Sequence, residues 1–235
     1  MPSKRNRATE RTAVVAGASG LVGRELVDRL SRTPAYRRIV ALTRRALGLE
    51  HPGLVEAPAR FDALDEVLAP RVPHSTPVDA YCCLGTTIRV AGSQQAFYRV
   101  DHDLVLAFAR WAADAPVARL VVISALGADA ASRVFYNRVK GETENDLRAV
   151  AGSKLVLVRP SLLDGARTES RWGETFALAL TRPVRALLPV KIRPVAVEDV
   201  AQSMIDAALA DSPSAVLESA ALQGAARRAD AKANS

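Results

Sequence analysis

An apolar run at residues 12–16 leads directly into Gly17-Ala18-Ser19-Gly20-Leu21-Val22-Gly23 and then into a stretch with helical spacing. Glycines at this spacing permit a tight turn, let the backbone approach a pyrophosphate closely, and let a helix pack tightly on a strand. The helix N-terminus that follows offers free amides to an anion. Strand, turn and helix in this order predict a dinucleotide site on Gly17, Gly20 and Gly23.

The rest of the chain repeats that alternation. Apolar runs at 38–43, 80–84, 119–124 and 154–159 read as short strands buried on both faces, and helical spacing at 21–30, 61–68, 101–113 and 134–149 separates them. The order predicts an α/β fold, a Rossmann-type doubly wound parallel sheet. After Arg159 the pattern changes: residues 160–197 predict a small C-terminal lobe, residues 198–210 a helix and 216–219 a last short strand. Trp172, Phe176 and Leu180 suit either a substrate wall in that lobe or its core. A length of 235 residues, with 49% apolar and 24% charged, fits one domain at 12–224 between a basic arm at 1–11 and a disordered tail at 225–235.

The net charge of +7 sits mostly at the ends, so the body is nearly neutral and a nucleic-acid partner is disfavoured. No apolar run reaches the ~18 residues of a membrane span, and no apolar leader follows the charged start, which predicts a cytoplasmic protein without membrane contact. Cys82 and Cys83 are adjacent and read as strand packing on opposite faces. His51, His74 and His102 share no ligand spacing with them, so no metal site is predicted. In Asp101-His102-Asp103 the first aspartate precedes an apolar-periodic stretch and reads as a helix cap rather than half of a catalytic dyad.

Two further clusters point to redox chemistry. About twenty residues beyond the glycines, where an acid would hold the ribose hydroxyls of NAD, the chain has Thr43-Arg44-Arg45 and no carboxylate. Two guanidiniums suit a 2′-phosphate, which predicts NADP. Tyr136 and Lys140 lie four apart on one face of a helix, and a nearby ammonium stabilises phenolate, suiting the tyrosine to acid/base work.

Together, GASGLVG at 17–23, TRR at 43–45, CCLGTT at 82–87, ISALGA at 123–128, FYNRVKGE at 135–142 and LVRPSLLDGARTESR at 157–171 resemble the atypical short-chain dehydrogenase/reductases, most closely their Tat-interacting-protein-like NADP-binding branch. The resemblance implies that Ser19, Gly20, Leu21 and Val22 wrap the pyrophosphate, Arg44 and Arg45 take the 2′-phosphate, and Leu84 and Gly85 border the ribose. It assigns acid/base work to Tyr136 and cofactor binding to Lys140, with Leu163 and Arg171 as further cofactor contacts. Related proteins commonly carry two serines where this chain has Ser124 and Ala125; Ser124 is the candidate third catalytic residue, and a strand-end cap explains it equally well.

The expected activity is NADP-dependent hydride transfer to a small carbonyl compound, with Tyr136 as acid/base and Ser124 orienting the carbonyl. The alternative is an NADPH-sensing module that controls a protein partner.

Overall fold

The computed structural model describes residues 10–73, 75–164, 189–211 and 215–233. Seven parallel strands form one sheet: β1 (Arg11–Ala16), β2 (Tyr36–Thr43), β3 (Leu54–Pro58), β4 (Val78–Cys82), β5 (Val117–Ile123), β6 (Leu155–Arg159) and β9 (Val216–Glu218), in the order β3-β2-β1-β4-β5-β6-β9. Outward pairing from β1 in both directions is the Rossmann order, with the ligand crevice at the carboxyl ends beside β1 and β4. A two-stranded parallel ribbon, β7 (Leu163–Asp164) with β8 (Val195–Ala196), lies in the lobe region. Trp172, Phe176 and Leu180 of the expected lobe lie outside the described residues.

Alternation explains the burial. Val14 and Ala16 face one layer with Phe108, Trp111 and Leu147, whereas Ala13 and Val15 face the other with Leu26, Leu30 and Met204. The first layer is covered by α2 (Leu64–Leu68), α5 (Leu104–Asp114) and α6 (Phe135–Ala151), the second by α1 (Leu21–Arg32) and α7 (Val197–Leu209). Cys82 and Cys83 take opposite layers as expected, and burial pushes the Cys82 thiol up to about 12.

Between β4 and α5 the chain forms α3 (Ile88–Ala91) and α4 (Gln94–Tyr98), then a π-helical turn at Arg99–Asp103 that runs on into α5. Leu104 N–H donates to the Arg99 carbonyl, five residues back. The start of this helical run is Ser93, whose hydroxyl accepts from Ala96 N–H at 3.0 Å. Asp101 is therefore inside a helix and caps nothing, contrary to the sequence reading.

Both terminal assignments also change. Arg11, counted with the arm, opens β1 and grips the fully buried Asp79 with Nε and Nη2, each at 2.6 Å. The Tyr36 hydroxyl donates to the same carboxylate at 2.7 Å and meets the Tyr81 hydroxyl at 2.6 Å. Beyond α8 (Ser219–Leu222), the tail expected to be disordered forms α9 (Ala225–Ala233). Asp199 on α7 accepts from Gly224 N–H at 2.8 Å and Ala226 N–H at 3.0 Å, and Ala225 and Ala226 are buried. Alanines bury little hydropathic signal, and the carboxylate that starts the helix lies far upstream.

Candidate functional site

The glycine turn occupies the carboxyl end of β1. Gly17 has φ +77°, and a Cβ there would stand 2.7 Å from the Cys83 carbonyl carbon, so the turn lies directly against the exit of β4. A Cβ at Gly23 would stand within contact radius of the Gly17 carbonyl oxygen, at 2.2 Å, so α1 closes on the turn only because that side chain is missing. Gly20 is the N-cap of α1 with extended backbone (φ −75°); no side chain caps it, and no acid sits in the first turn. Ser19 and Gly20 are exposed, Leu21 is half-buried and Val22 is buried, so only the backbone of Val22 is available to a ligand. Free amides, no competing carboxylate and an open approach fit the pyrophosphate of a dinucleotide.

Arg44 and Arg45 follow β2 and are exposed. Among the described residues no carboxylate pairs with either. Their loop is seated by the Thr43 hydroxyl, which donates to the Arg45 carbonyl, and by Arg24 on α1, whose Nη1 donates to the Leu47 carbonyl at 2.6 Å. Glu56 on β3 accepts from Leu47 N–H at 3.1 Å. That strand, with its exposed glutamate and terminal proline, carries no continuous apolar run, so Glu56 escaped the sequence reading.

Beyond β4, Leu84 is half-buried and Gly85 exposed. A Cβ at Gly85 would lie 3.5 Å from Asp101 Oδ1 and 4.0 Å from Lys140 Nζ, so this turn passes directly over both. Lys140 Nζ stands 2.7 Å from Asp101 Oδ1, both side chains almost fully buried. Thr86 N–H donates to Asp101 Oδ2 at 2.8 Å. Burial pulls the Lys140 ammonium down, but the Asp101 carboxylate, with Tyr136, outweighs it and leaves the lysine above its ordinary value. Tyr136, half-buried one turn earlier on α6, packs on Phe97 with ring centroids 5.6 Å apart.

Ser124 directly follows β5, and its hydroxyl donates to Glu144 Oε1 at 2.6 Å. The hydroxyl expected to orient a substrate carbonyl therefore gives its proton to a carboxylate instead. Arg159 Nε donates to the same oxygen at 2.8 Å, and Arg148 Nη2 donates to Glu144 Oε2 at 3.0 Å. Burial alone would raise the Glu144 carboxyl; Arg159, Ser124 and Arg148 outweigh it and hold it below its ordinary value. A carboxyl lowered on folding stabilises the fold above its unfolded value, and that contribution is lost as pH falls through the folded value. Acidification should therefore cost the parent more urea resistance than Glu144→Gln, measured as urea midpoints from neutrality to about pH 3. Parallel acid limbs would remove Glu144 from this account.

Leu163 is half-buried on β7, and Arg171 lies outside the described residues. Sequence reasoning brought together the glycines, Arg44, Arg45, Leu84, Gly85, Tyr136 and Lys140, all of which the fold carries to the carboxyl edge of the sheet. It missed Asp101, Phe97 and Glu144. Ser93, an N-capping residue type immediately ahead of Gln94-Gln95-Ala96-Phe97, was the available signal for the earlier helix start.

The chain matches the NAD dependent epimerase/dehydratase family over residues 13–192. It is similar to the mitochondrial protein FMP52 of Eremothecium gossypii, 34% identical over 158 residues that cover 66% of this chain and 67% of that protein. It is also similar to HTATIP2 of Rattus norvegicus, 32% identical over 170 residues that cover 71% and 69%. In fold it is similar to MoeE5 in complex with UDP-glucose and NAD, at 20% identity, TM-score 0.63 and coverage of 88% of this chain and 75% of that one. The UDP-glucose 4-epimerase of Thermotoga maritima aligns with TM-score 0.61 at 15% identity, covering 83% and 72%. The FMP52 relatives of several fungi are mitochondrial by name, which overturns the cytoplasmic assignment. Hydropathy was the wrong witness there: no described helix is long and apolar enough to cross a membrane, but that does not choose a compartment. Motifs, sheet order and relatives agree, and the chain belongs to the NAD dependent epimerase/dehydratase family, in the atypical short-chain dehydrogenase/reductase branch that includes FMP52 and HTATIP2.

Proposed function

We propose that the protein is an NADP-dependent reductase that delivers hydride to the carbonyl of a small organic molecule. The observation that carries this reading is Tyr136 and Lys140 on one face of α6, with the ammonium buried beneath the Gly85 turn at the carboxyl edge of the sheet. A bound reduced nicotinamide supplies the hydride. As the carbonyl carbon accepts it, the carbonyl electron pair moves to oxygen, and the Tyr136 hydroxyl gives that oxygen its proton. The resulting phenolate is stabilised by Lys140 and reprotonated from water. Lys140 would also hold the nicotinamide ribose, with Leu84 and Gly85 bordering it and Leu163 as a further contact; Arg171, the other contact the resemblance implies, lies outside the described residues. Exposed Ile88 and Val90 on α3, Val134 just before α6 and Leu162 just after β6 favour an apolar substrate.

The preference for NADP rests on Arg44 and Arg45 and on the absence of an acid beside them in the loop. NADPH should bind more tightly than NADH by about 1–3 kcal/mol, the worth of one or two charge-assisted bonds to the 2′-phosphate. Fluorescence titration with both nucleotides measures it. Arg44→Ala with Arg45→Ala should erase the difference; a double variant that keeps it would place the phosphate elsewhere.

One observation favours a second reading. With its hydroxyl donated to Glu144, Ser124 has no proton to offer a substrate carbonyl. An NADPH-sensing module that controls a protein partner needs none.

A further inference from the structure

Asp101 is a buried charged group at the ligand end of the sheet that the proposed reaction does not use. The π-helical turn places it in the helix interior, 1% exposed, facing α6. One carboxylate oxygen is fixed by Thr86 N–H in the turn after β4, and the other touches Lys140 Nζ. Its backbone carbonyl accepts from the Thr143 hydroxyl at 3.1 Å, so α6 is tied to the π-helical turn at a second point. The carboxylate is thus held from two separate pieces of chain, the turn after β4 and α6, directly beneath Gly85.

Stability alone explains such a pair poorly. Two buried charges give up their hydration, and a well-packed apolar pair of the same volume is often as stable or more so. Among the described residues two other buried carboxylates are ion-paired: Asp79, with Arg11, sits at the opposite, amino end of the sheet, and Glu144, with Arg159, lies at the ends of β5 and β6. The Asp101 pair sits at the ligand end, directly beneath the exposed Gly85.

We infer that Asp101 is the positioning residue of the site, holding Lys140 as a fixed ammonium beneath the Gly85 turn so that its remaining N–H groups are always available to the cofactor ribose. This rests on the ribose role given to Lys140 above. The charged and titratable groups facing Lys140 are Asp101 from the π-helical turn, Tyr136 from its own helix and Cys82 from the end of β4. Asp101 is the carboxylate among them, and burial keeps the Cys82 thiol protonated. Without that carboxylate, burial is left to disfavour the ammonium.

Asp101→Asn preserves size and an acceptor for Thr86 N–H while removing the charge. Lysine side-chain NMR of the free protein should show Lys140 losing its proton ~1–3 pH units lower in Asp101→Asn than in the parent. NADPH affinity should weaken by about tenfold above that midpoint, roughly the worth of one charge-assisted hydrogen bond. Asp146→Asn, which removes a carboxylate facing the neighbouring His102, should move neither curve. An unmoved Lys140 titration in Asp101→Asn overturns the inference, and so does a parent Lys140 that deprotonates below the ordinary lysine range, whether or not the variant folds. A shifted titration with an unchanged NADPH curve overturns the ribose role of Lys140 and leaves the Asp101 pairing standing.

Discussion

Gly141→Ala should destabilise the protein by at least about 3 kcal/mol, more than the usual cost of overpacking a core, and abolish dinucleotide binding with it. A methyl group at this position on α6 would lie 2.1 Å from the Ala130 nitrogen and 2.2 Å from the Asp129 carbonyl carbon, both backbone. The loop has little room to retreat: Asp129 N–H donates to the Asn137 carbonyl at 3.0 Å, and Leu126 N–H to the Pro160 carbonyl at 2.9 Å. The helix must shift instead, and it carries Lys140 one residue earlier. A urea midpoint close to the parent's, with unchanged slope, would show that the loop yields without cost.

Tyr136→Phe should leave NADPH affinity within a few fold while lowering turnover by roughly 10²-fold or more, the usual contribution of a positioned general acid. The ring and its packing on Phe97 survive the change, so only the proton donor is lost. The assay follows NADPH consumption across small aldehydes, ketones and quinones. Lys140→Met should fail in both affinity and turnover, because it also leaves the Asp101 carboxylate buried without its counter-charge. A substrate turned over equally well by Tyr136→Phe would end the acid/base assignment. No turnover by the parent, with NADPH altering its association with a protein, would favour the sensing module.

Much of this was legible in the chain because it is local. Five of the sheet strands are buried on both faces and announce themselves as unbroken apolar runs, and the glycine turn declares its geometry within seven residues. Tyr136 and Lys140 needed only helical periodicity. What was not legible depends on partners distant in sequence: the Ser124 hydroxyl meets Glu144 twenty residues on, and Asp101 meets Lys140 from another helix. β3 was missed because an edge strand is wet on one side, and Glu56 and Pro58 break its pattern. The last helix was missed because small residues dock without a hydropathic signature and Asp199 caps them from upstream.

The π-helical turn at Arg99–Asp103 makes chain length a functional quantity. An ordinary helix advances about 100° per residue, so deleting one residue here would rotate everything before the turn by that angle relative to everything after it. Phe97, the ring beneath Tyr136, lies on one side of the turn, and the core residues Val105 and Phe108 lie on the other. No substitution elsewhere can restore both alignments at once. The side chain at an exposed position such as Arg99 is free to vary, but the count of residues between Phe97 and Val105 is not.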